Sequence, residues 1–317
     1  MFNNACTPSP HTPSPLIELY PGLLTKLECN NLGVSHKVRA ARQIIKNALM
    51  TGEINPGETT VIEKTGGNFG FGLTLACSEL GIPVELAVGL GFSPVKRRCL
   101  EFFGAKLIGL DMLKDGAKPK DVIQWHLDNS VALGKKYFFT DQFNNRGSLQ
   151  AHLDETGPEI AAQLSSNFAN VKHLTFVACA GTGASLTGIA SSLKSFGYSV
   201  NVALVEPVGC DSHRGVFCDH AMEGMSVGVT PPFLDWNLVN QVHHVSFEDV
   251  LNTQSTISKT RGLFVGNTTG ACMHIATQLC TPPQADHKVL TVVYDHGLWY
   301  LNTIFSSQPS FQFRTVG

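Results

Sequence analysis

The chain has 317 residues, 43% apolar and 15% charged, enough for one large or two ordinary domains with substantial cores. A formal net charge of −2 without a basic block excludes the electrostatic footprint of a nucleic-acid binder. No apolar run approaches the roughly 18 residues of a membrane span, and the start lacks a basic and apolar leader pattern, so the expected setting is cytoplasmic.

Residues 1 to about 15 carry Pro8, Pro10, Pro13 and Pro15 and read as an extended, poorly ordered arm. Residues 23–28 form a short apolar strand closed by a polar, glycine-containing turn. Ser35 stands at an N-cap position before the helical pattern Val38, Ala41, Ile44, Ile45 and Ala48, which places Lys37 in the first turn. A cation is disfavoured at that positive dipole end, so Lys37 either points to solvent or has a depressed pKa and a special task. A buried strand at 59–63 leads through a glycine-rich turn into a helix to about Leu80. A strand at 84–88, a helix capped by Ser93 and running to Phe103, a strand at 106–110, a helix near 119–134 and a strand at 137–139 follow. The second half repeats the alternation, with a helix at about 147–165, a strand at 174–178, a helix to about Phe196 and a strand at 200–205. Residues 210–240 are irregular, helices cover about 247–262 and 269–281, and a strand at 289–294 closes the pattern. The tail from Ser306 to Gly317 reads as a loose end. Strands alternating with helices in two runs predict an α/β protein of two three-layer domains with mostly parallel sheets.

Gly181-Thr182-Gly183-Ala184-Ser185 lies between a strand and a helix. Its glycines let the backbone approach an anion, the helix start offers free N–H donors, and Thr182 and Ser185 add hydroxyls, which together make a phosphate cradle. Gly181, Gly183 and the later Glu206 also outline a dinucleotide fingerprint, although Gly188 lies five residues beyond Gly183 where the fingerprint wants three. Thr65-Gly66-Gly67-Asn68-Phe69-Gly70 is a second glycine-rich turn, able to converge N–H groups on a carboxylate. Nine cysteines, odd in number and without a C-x-x-C pair, fit reduced thiols, and the histidines show no ligand spacing, so no metal site is expected.

In this order the segments resemble the fold-type-II pyridoxal-phosphate (PLP) enzymes of the cysteine synthase and cystathionine β-synthase family, which are tryptophan synthase β-like. Asn31-Leu32-Gly33-Val34-Ser35-His36-Lys37 is similar to the family's Asn-x-x-x-Ser-x-Lys, implying that Lys37 carries the Schiff base and acts as general base. The 181–185 turn resembles the Gly-Thr-Gly-Gly-Thr phosphate cup, implying cofactor contacts from Gly181, Thr182, Gly183, Ala184 and Ser185. The 65–70 turn resembles Thr-Ser-Gly-Asn-Thr, implying substrate-carboxylate contacts around Thr65, Gly66, Gly67 and Phe69, with Asn68 at the cofactor 3′-oxygen. Gly66 and Phe69 depart from that pattern, removing two hydroxyl donors and putting an aromatic ring at the mouth. Asp141-Gln142-Phe143-Asn144-Asn145 resembles Gln-Phe-x-Asn-Pro and implies a carboxylate contact from Gln142. His152 with Thr156-Gly157-Pro158-Glu159-Ile160 resembles a helix-opening motif of structural role. The run from Val265 to Ala271 resembles Gly-x-Ser-Ser-Gly-Ala, which implies Thr268 at the pyridine nitrogen and a weaker electron sink that favours loss of a β-leaving group. Tyr294-Asp295-His296-Gly297 resembles Pro-Ser-Ser-Gly and implies His296 near the ring, able to titrate near neutrality.

The resemblance implies PLP in the cleft between a smaller mobile domain, residues 38–146, and a larger domain, residues 1–37 and 147–317, in a homodimer. The expected function is β-replacement on a serine-derived amino-acid substrate through an aminoacrylate. A β-eliminating lyase or deaminase on a similar amino acid is the alternative, and an NAD(P)-binding oxidoreductase or a non-catalytic binding protein lies further off. No nucleic-acid, membrane or metal partner is expected.

Overall fold

The computed structural model describes residues 12–280 and 285–305. The expectations at Pro8, Pro10 and the tail from Ser306 to Gly317 lie outside the described residues. The chain enters as β1 (Leu16–Tyr20) and returns as β2 (Leu23–Lys26), turning at Pro21 and a left-handed Gly22. Then come α1 (Lys37–Met50), β3 (Thr59–Glu63), α2 (Asn68–Ser78), β4 (Val84–Leu86) and α3 (Pro94–Phe102). They are followed by β5 (Lys106–Leu107), α4 (Leu110–Lys114), α5 (Pro119–Asp128) and β6 (Lys136–Phe139). The second half holds α6 (Gly147–Ala151), α7 (Gly157–Asn167), β7 (His173–Cys179), α8 (Ala184–Ser195), β8 (Ser199–Pro207) and β9 (Val239–Val245). It closes with α9 (Phe247–Arg261), α10 (Asn267–Leu279), β10 (His287–Val292) and α11 (Leu301–Phe305).

Two sheets organise the molecule. One has four parallel strands in the order β5-β4-β3-β6, and the other six in the order β1-β2-β10-β7-β8-β9, with only the β1–β2 pair antiparallel. The sequence pattern follows from burial on both faces: β3 is buried at every position, and β7 is buried throughout except at His173. One core joins Leu23, Phe176, Leu204 and Leu290 around the larger sheet. A second joins Ala41, Ile44 and Ile45 of α1 to Val61, Leu73 and Leu86 of the smaller one.

The structure departs from the sequence reading in specific places. Ser35 is not the cap of α1: the residue before the helix is His36, and the Ser35 hydroxyl is buried without a partner among the described residues while its backbone bridges Asp295. The strand expected at 106–110 stops at Leu107, because a left-handed Gly109 turns the chain into α4. The helix near 119–134 ends at Asp128. The helix at about 147–165 is one column interrupted by a π-helical turn, His152–Thr156. Contact with α8 explains the bulge: a Cβ on Gly188 would meet His152 at 2.5 Å, and one on Gly157 would meet Ser192 at 2.3 Å. Two strands have no counterpart in the sequence pattern, β1 beside the proline-rich arm and the largely exposed edge strand β9, which begins at the end of the irregular stretch 210–240 and runs past it. The end of the arm itself is ordered, since Ser14 is buried.

A buried ion cluster fixes α1 to the larger sheet. Arg39 donates from Nε to Glu28 Oε2 and from Nη2 to Glu28 Oε1, both at 2.7 Å, and from Nη1 to Glu159 Oε2 at 2.9 Å. Lys26 pairs with Glu159 and donates to the Ser14 carbonyl at 2.6 Å, while the Ser14 hydroxyl donates to Glu28 at 2.6 Å. Burial disfavours the Glu28 charge, but the Arg39 guanidinium outweighs it and holds the carboxyl below its ordinary value. Glu159 thus gives the 156–160 motif a structural role inside the helix column rather than at its opening.

Candidate active site

A cavity of about 410 Å³ opens where the carboxyl ends of strands from both sheets face each other. Lys37, first residue of α1, forms part of its wall, and its amine has no hydrogen-bonding partner among the described residues. Burial lowers the Lys37 pKa, with Cys179 pulling weakly the other way. His36 beside it packs edge-on to Tyr294, with ring centroids 5.0 Å apart, and burial together with the Lys37 charge keeps this imidazole neutral.

Opposite Lys37, β7 runs out into the 181–185 turn. Gly183 is left-handed, and a Cβ there would meet the Leu234 nitrogen at 2.5 Å; a Cβ on Gly181 would meet the Gly224 carbonyl at 2.5 Å. Both glycines are therefore required by close backbone approach. Gly181, Thr182, Gly183 and Ser185 line the cavity, whereas Ala184 lies buried behind them as the first residue of α8. The free N–H groups of that helix start face the same space, which suits a phosphate. The rival dinucleotide reading loses its parts. Gly188 packs inside α8 against His152, and Glu206 is buried, accepting from Ser212 N at 3.0 Å.

The second turn comes from the smaller sheet. Thr65, Gly66, Gly67, Asn68 and Phe69 all border the cavity, as do Gln142 and Phe143 from the loop after β6. Gly66 has a steric cause: its Cβ would lie 2.5 Å from Val88 and 2.9 Å from the Phe92 ring. Phe69 borders the cavity from a position buried in the core of the smaller sheet, and the half-buried Phe92 takes the space beside the turn. Thr268, the second residue of α10, is buried against the cavity, while its neighbour Thr269 accepts from Tyr294 N at 3.0 Å.

The assignment of His296 is corrected. Its side chain is outside the cavity lining, accepts from Leu298 N at 3.2 Å and packs edge-on to Phe264. The preceding residue does the facing instead, because successive residues of an extended segment point opposite ways. Asp295 is buried, and its Oδ2 accepts from Asn68 Nδ2 at 2.6 Å and from the Tyr300 hydroxyl at 2.5 Å. Its Oδ1 has no partner among the described residues. Burial pushes the Asp295 carboxyl up to about 6, against the pull of Tyr300 and Asn68. Lys96 from α3 donates to Glu223 Oε2 at 2.7 Å and lies 4.6 Å from the Tyr300 ring centre, joining the two sides of the cavity. Sequence reading did not assign Lys96, Glu223 or Tyr300; Glu223 lay in an irregular stretch with no pattern to mark it.

These residues fit PLP: a partnerless desolvated amine, a helix-start cradle required to be glycine, and polar groups between them. The sequence matches the family described as "Pyridoxal-phosphate dependent enzyme" over residues 4–295. It is 30% identical to the O-acetylserine dependent cystathionine beta-synthase of Bacillus subtilis (strain 168), covering 87% of each chain. It is 30% identical to cysteine synthase B of Campylobacter jejuni, covering 92% of this chain and 94% of the relative. The crystal structure of a hydrogen sulfide-producing enzyme from Fusobacterium nucleatum superposes with a TM-score of 0.78 at 26% identity, over 91% of this chain and 95% of that one.

Proposed function

Because the chain belongs to the pyridoxal-phosphate dependent enzyme family, we propose that it is a β-replacement enzyme acting on a serine-derived amino acid. The observation that carries this reading is Lys37 at the head of α1, sharing one cavity with the glycine cradle and the Asn68 turn. The names of the relatives support the substrate class. Lys37, the 181–185 cradle, Asn68 and Thr268 would hold the cofactor. When bound there, PLP supplies an electron sink for the bonds at the substrate α-carbon.

The chain's own residues do the rest. Lys37 Nζ takes the α-proton, since its lowered pKa leaves more of the amine neutral and basic. Backbone N–H groups at 65–68 and the side chains of Thr65 and Gln142 bind the substrate carboxylate. Asp295 and Tyr300 orient Asn68. Phe92 and Phe143 keep water from the reacting carbon. The same reading takes residues 38–146 as a smaller unit closing over the substrate, in a cytoplasmic homodimer.

The visible spectrum of the purified protein tests it. The native protein shows a yellow chromophore, the Lys37→Ala variant loses it, and turnover falls at least about 100-fold. O-acetylserine with sulfide then yields a new amino acid, whereas pyruvate and ammonia would mark elimination instead. A colourless protein that added PLP cannot reconstitute overturns the proposal.

A further inference from the structure

Outside the cleft, two thiols stand face to face. Cys210 and Cys218 bring their Sγ atoms to 3.5 Å, although they lie eight positions apart in the chain. The approach is built into the backbone. Asp211 and Val216 exchange hydrogen bonds at 2.8 and 2.9 Å, folding the intervening residues into a hairpin that returns Cys218 to Cys210. Gly209 is left-handed, and a Cβ there would meet Cys218 Sγ at 3.1 Å, so a larger residue would crowd the thiol. Cys218 is exposed and Cys210 buried, which gives one sulfur open to solvent and one shielded behind it. The Cys218 thiol donates to the Val208 carbonyl at 3.3 Å, and the Cys210 carbonyl contacts His244 Nε2 at 3.1 Å, so both ends of the hairpin are tied to its base.

We propose that Cys210 and Cys218 form a reversible redox site, in which peroxide oxidises the pair to a disulfide and a small thiol reduces it. The Cys218 thiolate attacks a peroxide oxygen, the O–O bond breaks, and a sulfenic acid forms with release of hydroxide, which takes up a proton as water. Cys210 then attacks that sulfur, the S–O bond breaks and a second water leaves. The balance is two thiols and one hydrogen peroxide giving one disulfide and two waters. The sulfurs must close to about 2.05 Å, a shift that an exposed hairpin accommodates more readily than a core. Beyond Cys218 the chain reaches Ala221, whose carbonyl accepts from Asn267 Nδ2 at 3.0 Å, and then Glu223 and Gly224 of the cavity wall. The bridge therefore staples the base of the segment that carries one side of the active site.

The test treats the native full-length protein with dilute hydrogen peroxide, removes the peroxide, blocks remaining thiols with N-ethylmaleimide in denaturant so that buried cysteines also react, and maps peptides by mass spectrometry. The expected result is loss of alkylation at both Cys210 and Cys218, a cross-linked peptide lighter by two hydrogens, and recovery of both alkylation sites after dithiothreitol. Cys218→Ser leaves Cys210 alkylated under the same treatment. Cys179 and Cys272 are also neighbours, but both are buried and serve as the internal comparison. Cys218 driven to sulfinic or sulfonic acid, or alkylated on both residues with no cross-link, overturns the proposal. None of these readouts depends on turnover, so the outcome is independent of the assigned reaction.

Discussion

Two of the places where the protein buries charge treat it in opposite ways. Behind the cleft, Arg39 and Lys26 meet Glu28 and Glu159 in a cluster of matched sign, with fork-like contacts and Ser14 filling the remaining lone pairs. Beside the cleft, Asp295 has two neutral donors on one oxygen and, among the described residues, none on the other. The first is a structural joint, whose net value is small but whose disruption leaves uncompensated charge in the interior. The second is a group held away from its comfortable ionisation, as active sites arrange when a residue must be oriented rather than merely accommodated.

The two respond to pH with opposite sign. Glu28 is depressed in the fold, so its contribution is present above the unfolded carboxyl value and is lost as pH falls through the folded one. Asp295 is raised to about 6, so its contribution is full below the unfolded value and is lost as pH rises through about 6. Arg39→Met attacks the first region hardest. Urea denaturation is expected to show a loss of about 3–5 kcal/mol, because Glu28 remains buried without its cation while Glu159 keeps only Lys26. A loss below about 1 kcal/mol would mean that the cluster is not the joint described here. Asp295→Asn keeps both hydrogen bonds and removes the charge. It is expected to raise stability by on the order of 1–3 kcal/mol at pH 8, to change little at pH 4, and to abolish any inflection of turnover near pH 6. An unchanged pH profile would show that the Asp295 charge has no influence on Asn68. Lys96→Met is the mildest change. The Lys96–Glu223 pair is half open to water, so stability should move by less than about 1 kcal/mol, while KM rises and becomes less sensitive to salt.

Much of this was legible in the residues. The alternation of apolar strands and amphipathic helices gives the two sheets, because parallel strands covered on both faces must read as continuous apolar runs. The cradle and the Lys37 helix start were visible because glycine at a strand-to-helix turn and a lysine at a positive dipole end are both locally unusual. What stayed hidden is relational. β9 is half exposed and shows only as an edge. The π turn comes from the approach of α8, which no local pattern records. Asp295 and His296 are adjacent, and only the path of the extended segment decides which one faces Asn68. The replacement of a hydroxyl residue by Gly66 became intelligible only once Phe92 was seen against it.

The position of Lys37 depends on residues far along the chain. His36 N donates to the Tyr294 carbonyl at 3.0 Å, Ser35 bridges Asp295, and β10 lies between β2 and β7 in the larger sheet. A ribosome-bound chain that has not yet delivered β10 therefore leaves β2 and β7 without their shared neighbour, and Lys37 without its anchor. The smaller sheet, encoded contiguously, has no such wait. Synthesis from the N-terminus thus completes the cleft last, and because its decisive contacts close the longest loops, cleft assembly is the slow event expected in refolding.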